Sequence, residues 1–445
     1  MPDRADQQNH PEDLFEVTVE RILPGGFGLA HADGRTLMVA LAAPGDCLRV
    51  RVERVKGSVA FASIVEILEP SSVRVEPPCP YFGRCGGCDF QQLNYQAQLD
   101  AKIEIIRDCL RRIAGIESVP HFQIRQAPNQ WHYRGRTQWQ NDAVRQRLGY
   151  FEANSHRVCD VAECAVLVPE LQRELESLRE EMQRGTLPDA RYFRAVVGDQ
   201  DVSVVDDRGV SPTTREGSLA VEVTRTIRGE RYRLNAESFF QTNIELLPQL
   251  IDYALGDVRG QTAVELYCGV GLLTVPLARQ FERVVAIEDD DHATKFSRQN
   301  LGSAGLQNSE VVNQNVADWL DLECGSRVPM RRERRFGSSS SSDPAEALAA
   351  NPIKSAVEAG ALQIDFLLLD PPRTGAESRV ISGILNLKPQ KICYVSCDPA
   401  TLARDLKKLI AGGYSINSMQ AFDMFPQTHH VETIVHLQHS RSNDK

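Results

Sequence analysis

One stretch near the C-terminus, residues 391–406, constrains the fold of this chain more than any other; its sequence is KICYVSCDPATLARDL. The apolar and β-branched run at residues 392–395 is typical of a buried strand. Asp398 is a residue type that caps helices and Pro399 suits the first helical position, so a helix is expected to begin there. Cys397 would then lie at the carboxyl end of a strand and at a helix N-terminus. Open α/β sheets bind ligands at such ends, and the helix dipole favours a thiolate; a buried structural cysteine is the alternative.

The C-terminal half of the chain, residues 236–445, alternates strand-like and helix-like patterns, which predicts a parallel α/β sheet of the Rossmann-like kind. One predicted strand ends at Asp370 and another ends at Glu288. The last strand-like stretch, HHVETIVHLQH, is expected to run antiparallel to the others. The arginine-rich and serine-rich residues 331–352 interrupt the pattern, and we expect them to form a flexible surface insertion.

A glycine turn in this half indicates a nucleotide-like ligand. In residues 263–278, AVELYCGVGLLTVPLA, Gly269 and Gly271 lie between a strand and a helix and allow the backbone to approach a ligand closely. Glu288 can hold the two hydroxyls of a ribose, and Asp370 can orient a polar group of a ligand or substrate. A dinucleotide site is one interpretation. Because the turn lacks the third glycine of that motif, the pattern is closer to the S-adenosylmethionine pocket of a class I methyltransferase.

The central region, residues 71–235, is expected to be β-rich and carries a cysteine triplet, Cys79, Cys85 and Cys88, among glycines and prolines. Such spacing allows one loop to place three thiolates on a metal centre, and either zinc or an iron–sulfur cluster fits; three free thiols are the alternative. A fourth ligand has to come from elsewhere. The candidates are Cys109, Cys159 and Cys164. The helical pattern around Cys109 favours a place in the core for that residue.

The N-terminal residues 13–70 contain short alternating strands separated by glycine turns, which predicts a small β-barrel of the OB-like or SH3-like kind. A disordered tail, residues 1–12, is expected before it. Arg49 and Arg51 are two residues apart and share a strand face, which is either simply solvated or in contact with RNA. The opening EVTVERILPGGFGLAH and the later basic strand resemble a TRAM domain, an RNA-binding module of RNA-modifying enzymes.

Composition limits what the chain can bind. The formal net charge is −10, so nucleic-acid binding has to depend on local surfaces, such as the arginines and interleaved aromatic side chains of residues 121–160. No apolar run reaches the roughly 18 residues of a membrane span, and the N-terminus lacks the apolar core of a signal peptide. We expect a cytoplasmic monomer without membrane or DNA partners. In the cytoplasm the 11 cysteines are better explained as metal ligands or nucleophiles than as disulfide partners.

Five motifs in order give the chain a family resemblance. They are SFFQTN at residues 238–243, ELYCGVGLL, LLDPPRTG, YVSCDPATLARDL and HHVETIVHL. Together they resemble the RNA uracil-5-methyltransferase family, which includes bacterial 23S rRNA enzymes and the tRNA enzyme that makes 5-methyluridine. The cysteine triplet is similar to that of the rRNA members, which carry a 4Fe–4S cluster, so the resemblance favours a cluster over zinc.

The resemblance implies a substrate, a mechanism and a set of site residues. It implies methylation of carbon 5 of a uridine in RNA, expected to be 23S rRNA, with S-adenosylmethionine as the methyl donor. Cys397 would add to carbon 6 of uracil, and Glu432 would remove the proton from carbon 5. The match of CAVLVPEL to the family implies Cys164 as the fourth cluster ligand. The residues implied to contact S-adenosylmethionine are Gln241, Tyr267, Glu288 and Asp370.

Other functions stay open at this point. A tRNA uridine-5-methyltransferase would use the same residues on another RNA. A methyltransferase acting on nitrogen would need no covalent attack, so the cysteine of YVSC argues against it. A non-catalytic RNA-binding iron–sulfur protein would keep the methyltransferase fold without the reaction.

Overall fold

The computed structural model describes residues 14–212, 221–324 and 363–440. The predicted tail at residues 1–12 and the predicted insertion at residues 331–352 lie outside the described residues. The chain divides into two compact units. The first consists of Met1–Tyr253, Cys397–Arg404 and Met419–Thr433, and the second of Ala254–Ser396, Asp405–Ser418 and Ile434–Lys445. Across the described ranges, no helix is both long enough and apolar enough to cross a membrane.

The first unit begins, from the first described residue, with a six-stranded sheet. Its strands are β1 (Leu14–Thr18), β2 (Arg21–Ile22), β3 (Gly28–Ala32), β4 (Arg35–Val39), β5 (Cys47–Lys56) and β6 (Val59–Glu69), in the order β1-β5-β6-β4-β3-β2. In β5, Leu48 and Val50 are buried in a shared apolar core. Arg49 faces the other way and pairs with Glu16 of β1 and Glu66 of β6. For this arginine the structure therefore favours a solvated, ion-paired face.

Helix α1 (Tyr95–Cys109) follows the cysteine-rich loop. It begins where the side-chain oxygen of Asn94 accepts the N–H of Ala97 at 3.0 Å, which satisfies one of the free amides of the first turn. Its last turn widens into a π-turn at residues 110–114, and Gly115 ends it in the left-handed conformation, with φ 74°. Cys109 is buried, which confirms the prediction that it belongs to a core.

The central part of the first unit is β-rich, as predicted. Its elements are β7 (Ile124–Arg125), β8 (Arg136–Asp142), β9 (Arg147–Phe151), β10 (Val158–Asp160), α2 (Pro169–Arg184), β11 (Tyr192–Val197), β12 (Val202–Asp206), β13 (Val223–Ile227), β14 (Glu230–Leu234) and α3 (Leu247–Leu255). Five of these strands form one sheet in the order β10-β9-β8-β11-β12. Helix α2 buries a stripe of Leu171, Leu175, Leu178 and Met182 in the core that this sheet shares.

The second unit is built on a parallel sheet, which confirms the α/β prediction. Its strands are β15 (Gly260–Leu266), β16 (Phe281–Glu288), β17 (Ser309–Asn313), β18 (Phe366–Leu369) and β19 (Lys391–Ser396), in the order β17-β16-β15-β18-β19. The described helices between them are α4 (Thr274–Gln280), α5 (Asp291–Ser303), α6 (Val316–Cys324) and α7 (Ser378–Leu387). All four residues of β18 are fully buried, as expected for a parallel strand covered on both faces.

The described chain ends with α8 (Pro399–Ala411), β20 (Tyr414–Phe422) and β21 (Glu432–His439). Strand β21 lies between β19 and β20 in the sheet order. The N–H of His439 donates to the carbonyl of Gln390 at 3.0 Å, just before β19 begins. The end of β21 therefore lies beside the start of β19, and the predicted antiparallel direction is confirmed.

Candidate active site

The glycine turn after β15 has the conformation that the sequence predicts. Gly269 and Gly271 have φ angles of 54° and 87°, in the left-handed region that favours glycine. A Cβ at Gly271 would lie 2.8 Å from the hydroxyl oxygen of Ser297, so a side chain is excluded there. At Gly269 such an atom would meet nothing within 4 Å. Tyr267 also has a positive φ, 65°, so the turn is strained by a non-glycine residue that was predicted to contact the methyl donor.

Glu288 holds this turn in place from the end of β16. Its Oε2 accepts the N–H of Gly269 at 2.9 Å, and its Oε1 accepts the N–H groups of Asp289 and Asp290, both at 3.0 Å. Burial raises the pKa of this carboxyl above its ordinary value, against the effect of these hydrogen bonds. A carboxylate has about four acceptor positions. Glu288 therefore keeps capacity for ligand hydroxyls while it fixes the turn.

A second carboxyl in the same unit, Glu265, was not singled out by the sequence reasoning. It lies in β15 and is 2% exposed. Burial and the nearby carboxylates of Asp370 and Glu288 together raise its pKa to about 8, against the effect of the nearby Thr274 hydroxyl, which lowers it. Burial also raises the pKa of Asp370 to about 7. Three desolvated carboxyls in one place favour a positively charged ligand. The available signal was an acid within the apolar run AVEL.

The raised pKa of Glu265 predicts that the free energy of unfolding depends on pH. The unfolded carboxyl ionises near its ordinary pKa of 4.5, whereas the folded one holds its proton up to about pH 8. Its contribution to folding is therefore complete below pH 4.5 and is lost as the pH rises towards 8. We expect Glu265→Gln to gain stability relative to the wild type as the pH is raised from 5 to 8, measured by chemical denaturation. The exposed Glu282→Gln is the control, and equal pH profiles for all three proteins would contradict the prediction.

The loop after Asp370, DPPRTG, is fixed at its far end by a buried group that was also missed. Asp405 is fully buried, and its Oδ2 accepts the N–H of Ala376 at 2.9 Å and the hydroxyl of Tyr394 at 2.8 Å. Gly375, one residue earlier, has a positive φ of 73°. The helix that follows YVSC therefore supports the loop that carries Asp370.

Cys397 directly follows the last residue of β19, as predicted. Its side chain is partly exposed, whereas Cys393 in the middle of the strand is fully buried. The Oδ1 of Asp398 accepts the N–H groups of Ala400 and Thr401, at 2.9 and 2.8 Å. This confirms Asp398 as the helix cap. Cys397 is thus an accessible thiol at a capped helix N-terminus, where the dipole favours its thiolate.

Glu432 and Gln241 are both buried in the first unit, 2% and 7% exposed. Glu432 is the first residue of β21. Gln241 lies in an irregular stretch before α3, where the neighbouring carbonyl of Thr242 accepts the N–H of Gly135 at 2.9 Å. Buried polar residues at such positions are held by the surrounding fold rather than by solvent, which suits groups that have to meet a ligand in one orientation.

The four cysteines predicted as metal ligands line one cavity. They are Cys79, Cys85, Cys88 and Cys164. Burial raises the pKa of the Cys88 thiol to about 12 and that of Cys85 to about 11, while the nearby guanidinium of Arg134 lowers that of Cys88. Cys159 does not line this cavity; it is fully buried and accepts a hydrogen bond from Nε of Arg84 at 3.2 Å.

These cysteines are brought together without forming a finished metal geometry. Over the described ranges, no group of three or more histidine, cysteine or acidic side chains is close enough to hold a metal ion. None of the ten cysteines whose side chains the structure describes forms a disulfide. The four thiols and the neighbouring guanidinium of Arg134 nevertheless suit a metal group. Binding of a metal deprotonates its thiol ligands, and the guanidinium offsets the negative charge of the thiolates.

A groove of about 1060 Å³ lies within the first unit beside this cavity. It is lined by the glycine turn of the N-terminal sheet, by the cysteine loop, by residues 151–156 and by His429. Phe27 packs edge-on against Phe61, and Phe151 packs edge-on against His156, each with ring centroids 5.6 Å apart. Rings along a groove are the stacking surfaces that single-stranded nucleic acids use.

Comparison with known proteins gives the family. The model of the tRNA (uracil-5-)-methyltransferase family matches residues 217–330 and 352–440, and that of the TRAM domain matches residues 13–65. An uncharacterized RNA methyltransferase of Gloeobacter violaceus is 31% identical over 95% of this chain and 96% of its own length. One of Halalkalibacterium halodurans is 30% identical over 96% and 97%.

Among solved structures, the tRNA (uracil-54, C5)-methyltransferase of Pyrococcus abyssi in complex with S-adenosyl-L-homocysteine has a TM-score of 0.65. The match covers 95% of this chain and 100% of that one at 22% identity, so it shows a shared fold. Since the relatives align almost from end to end and the family and TRAM models match in the expected order, the chain belongs to the RNA uracil-5-methyltransferase family and is an RNA methyltransferase.

Proposed function

We propose that this enzyme transfers the methyl group of S-adenosylmethionine to carbon 5 of a uridine in 23S rRNA through a covalent adduct with Cys397. The observation that carries the proposal is the position of Cys397, partly exposed after a buried strand and before a capped helix. A methyltransferase that acts on nitrogen has no use for such a thiolate, whereas carbon 5 of uracil is a poor nucleophile until carbon 6 is attacked.

The proposed reaction has four steps: attack at carbon 6, methyl transfer to carbon 5, removal of the proton from carbon 5 and release of Cys397. The thiolate of Cys397 forms a bond to carbon 6, and the ring double bond moves its electrons onto the carbonyl oxygen as an enolate. Carbon 5 then bonds to the methyl carbon as the bond from that carbon to the donor's sulfur breaks, which leaves S-adenosylhomocysteine. The carboxylate of Glu432 takes the proton from carbon 5. The double bond re-forms, and the thiolate of Cys397 is released.

We propose that S-adenosylmethionine, the methyl donor, is contacted by Gln241, Tyr267, Glu288 and Asp370. The donor carries a sulfonium and an ammonium group, and the desolvated carboxyls around Asp370 favour positive charge. Glu288 sits at the end of the strand next to the glycine turn, which is where an acid binds ribose hydroxyls in sheets of this type. A cationic donor beside the buried Glu265 would favour loss of the proton from that carboxyl.

We further propose that Cys79, Cys85, Cys88 and Cys164 hold a 4Fe–4S cluster. Such a cluster binds four thiolates, fixes the loop that supplies them and is able to exchange an electron. The cavity that these residues line contains Arg134, which offsets the negative charge of thiolates. Protein purified without oxygen is expected to contain about four iron and four acid-labile sulfide per chain. Stoichiometric zinc without sulfide would contradict the cluster.

The choice of RNA follows from the cysteine set, which resembles that of the rRNA members of the family. The test is a map of 5-methyluridine in 23S rRNA and tRNA from cells that lack the gene. We expect one or more 23S rRNA positions to lose the methyl group and to regain it with the wild-type gene but not with Cys397→Ala. Loss of 5-methyluridine from tRNA alone would identify tRNA, and not 23S rRNA, as the substrate. An unchanged 5-methyluridine map in both RNAs would contradict the proposed function.

A further inference from the structure

The cysteine loop is hydrogen-bonded directly to the segment that precedes Glu432. Asp89 follows Cys88 in the chain, and its Oδ1 accepts the backbone N–H of His429 at 2.8 Å. Its other oxygen, Oδ2, accepts a short hydrogen bond from the ring Nδ1 of the same histidine. Both groups are mostly buried, with side-chain exposures of 32% and 25%. One carboxylate thus fixes both the backbone and the ring of His429, three residues before Glu432.

Two backbone bonds reinforce this contact. The N–H groups of Asp89 and Phe90 both donate to the carbonyl of Gln427, at 3.1 and 3.0 Å. Gln427 has a positive φ of 68°, an unfavourable conformation for glutamine that needs support from its surroundings. The support is a reciprocal pair of bonds with Gln98 of α1, in which each residue donates to the other at 3.0 and 2.9 Å.

The start of the segment is fixed by the same helix. Lys102 and Asp423 are both fully buried and form a short ion pair, and Nζ of Lys102 also donates to the carbonyl of Phe425 at 3.0 Å. The hydroxyl of Tyr95 donates to the other carboxylate oxygen of Asp423 at 2.8 Å. Residues 423–429 are therefore anchored by α1 at one end and by the cysteine loop at the other.

The glycine turn of the TRAM domain closes over the Asp89–His429 pair. A Cβ placed on Gly26 would lie 3.1 Å from Oδ2 of Asp89 and 3.3 Å from Nδ1 of His429. Gly26 also has a φ of 81°, which disfavours any side chain. The pair therefore lies where the TRAM turn, the cysteine loop and the approach to Glu432 meet, on the wall of the groove.

We propose that the Asp89–His429 pair makes the cysteine loop a positioning element for Glu432. The proposal depends on the function proposed above, in which Glu432 is the base and the loop binds a metal group. His429 and Asp89 are positioning residues in this account, because they act on the reaction through the backbone that leads to Glu432. A group bound by the loop would then influence methylation through this contact without touching the RNA base.

Loss of this positioning should slow one step of the reaction, the removal of the carbon 5 proton. If Glu432 is displaced, removal of the carbon 5 proton slows while the attack of Cys397 and the methyl transfer are unaffected. Displacements of about 1 Å can cost on the order of 100-fold in rate. The methylated adduct between RNA and Cys397 should then accumulate, because it forms at the normal rate and resolves slowly. A general loss of folding or RNA affinity would instead reduce the adduct.

The test uses full-length holoenzyme with Asp89→Asn, His429→Gln and the double variant. We expect kcat to fall roughly 10- to 100-fold, KM for RNA to fall with it so that kcat/KM stays nearly unchanged, and the denaturation-resistant RNA adduct to increase. The double variant should lose no more than either single variant, because two residues that act as one unit are not additive. Hydrogen exchange in residues 423–431 should become faster in all three proteins. Glu20→Gln, which removes the exposed carboxylate paired with His31, is the control and should behave as the wild type.

Each other result has a definite meaning. If the losses of kcat in the two single variants multiply in the double variant, the two residues act independently and the coupling is wrong. If KM for RNA rises while kcat is unchanged, the two residues are RNA contacts and the coupling is likewise wrong. Loss of iron and sulfide from Asp89→Asn would overturn it in favour of a role in loop folding. Glu432→Gln, measured alongside, distinguishes a failure of the proposed coupling from a failure of the proposed role of Glu432 as the base. If that variant forms an adduct and the Asp89 and His429 variants do not, the coupling is wrong and the base stands; if it forms none, the base assignment is wrong and the coupling falls with it.

Discussion

Replacing Cys397 with alanine is expected to reduce methyl transfer to RNA by on the order of 10⁴-fold or more, since removal of a nucleophile from a covalent mechanism leaves only binding and orientation. The affinity for S-adenosylmethionine should stay within about twofold, because the thiol is not one of the groups proposed to contact the donor. The measurement is incorporation of labelled methyl groups into RNA, together with calorimetric titration of the donor.

Cys47→Ala is the matched control for this variant. Cys47 is also a partly exposed cysteine, but it lies at the start of β5 in the TRAM domain. It should keep wild-type activity, which shows that loss of a surface thiol is harmless by itself. Substantial methylation by Cys397→Ala would rule out the covalent mechanism while leaving the family assignment intact.

Replacing Glu432 with glutamine is expected to have the second-largest effect and a qualitatively different one. Glutamine has nearly the same shape, so it fits a site that is only 2% exposed, but its amide cannot take up a proton from carbon 5. The enzyme should therefore methylate the base once and stop, with the RNA still bonded to Cys397. The product is expected as a slow-migrating band on a denaturing gel, at close to one RNA per enzyme.

The adduct has its own control in the chain. The double variant Cys397→Ala with Glu432→Gln should give no band, because the sulfur that forms the bond is gone. If Glu432→Gln turns over normally, another group removes the proton and the buried carboxylate has a structural role. If the single variant binds RNA and donor but forms no adduct, Glu432 is needed earlier than we propose.

The parts of this molecule that could be predicted from sequence are those that depend on neighbouring residues. The sequence correctly predicted the strand before Cys397, the cap of α8 at Asp398 and the acid at the end of β16. Each of these depends on an apolar run or a capping residue that acts over a few positions. Cys164 lines the same cavity as the cysteine triplet, in agreement with the prediction from the family's motif. The roles of these four cysteines as metal ligands stay predictions.

The parts that could not be predicted depend on contacts between distant residues. Asp89 and His429 are separated by 340 positions, and Lys102 and Asp423 by 321. Nothing local marks either pair, since an acid after a cysteine and a lysine in an amphipathic helix are ordinary surface patterns. Arg49 is a further example: the sequence left open whether its strand face is solvated or contacts RNA, and the neighbouring strands supply the two carboxylates that pair with it.

The division of the chain into two units has a practical consequence for anyone who wishes to dissect this enzyme. The backbone passes from one unit to the other after Tyr253, Ser396, Arg404, Ser418 and Thr433. Neither unit can be excised as a continuous fragment. Cys397 and Glu432 belong to the first unit although they lie near the C-terminus of the sequence, so a C-terminal fragment would carry both residues without most of the unit to which they belong. We expect such a fragment to be unable to methylate RNA.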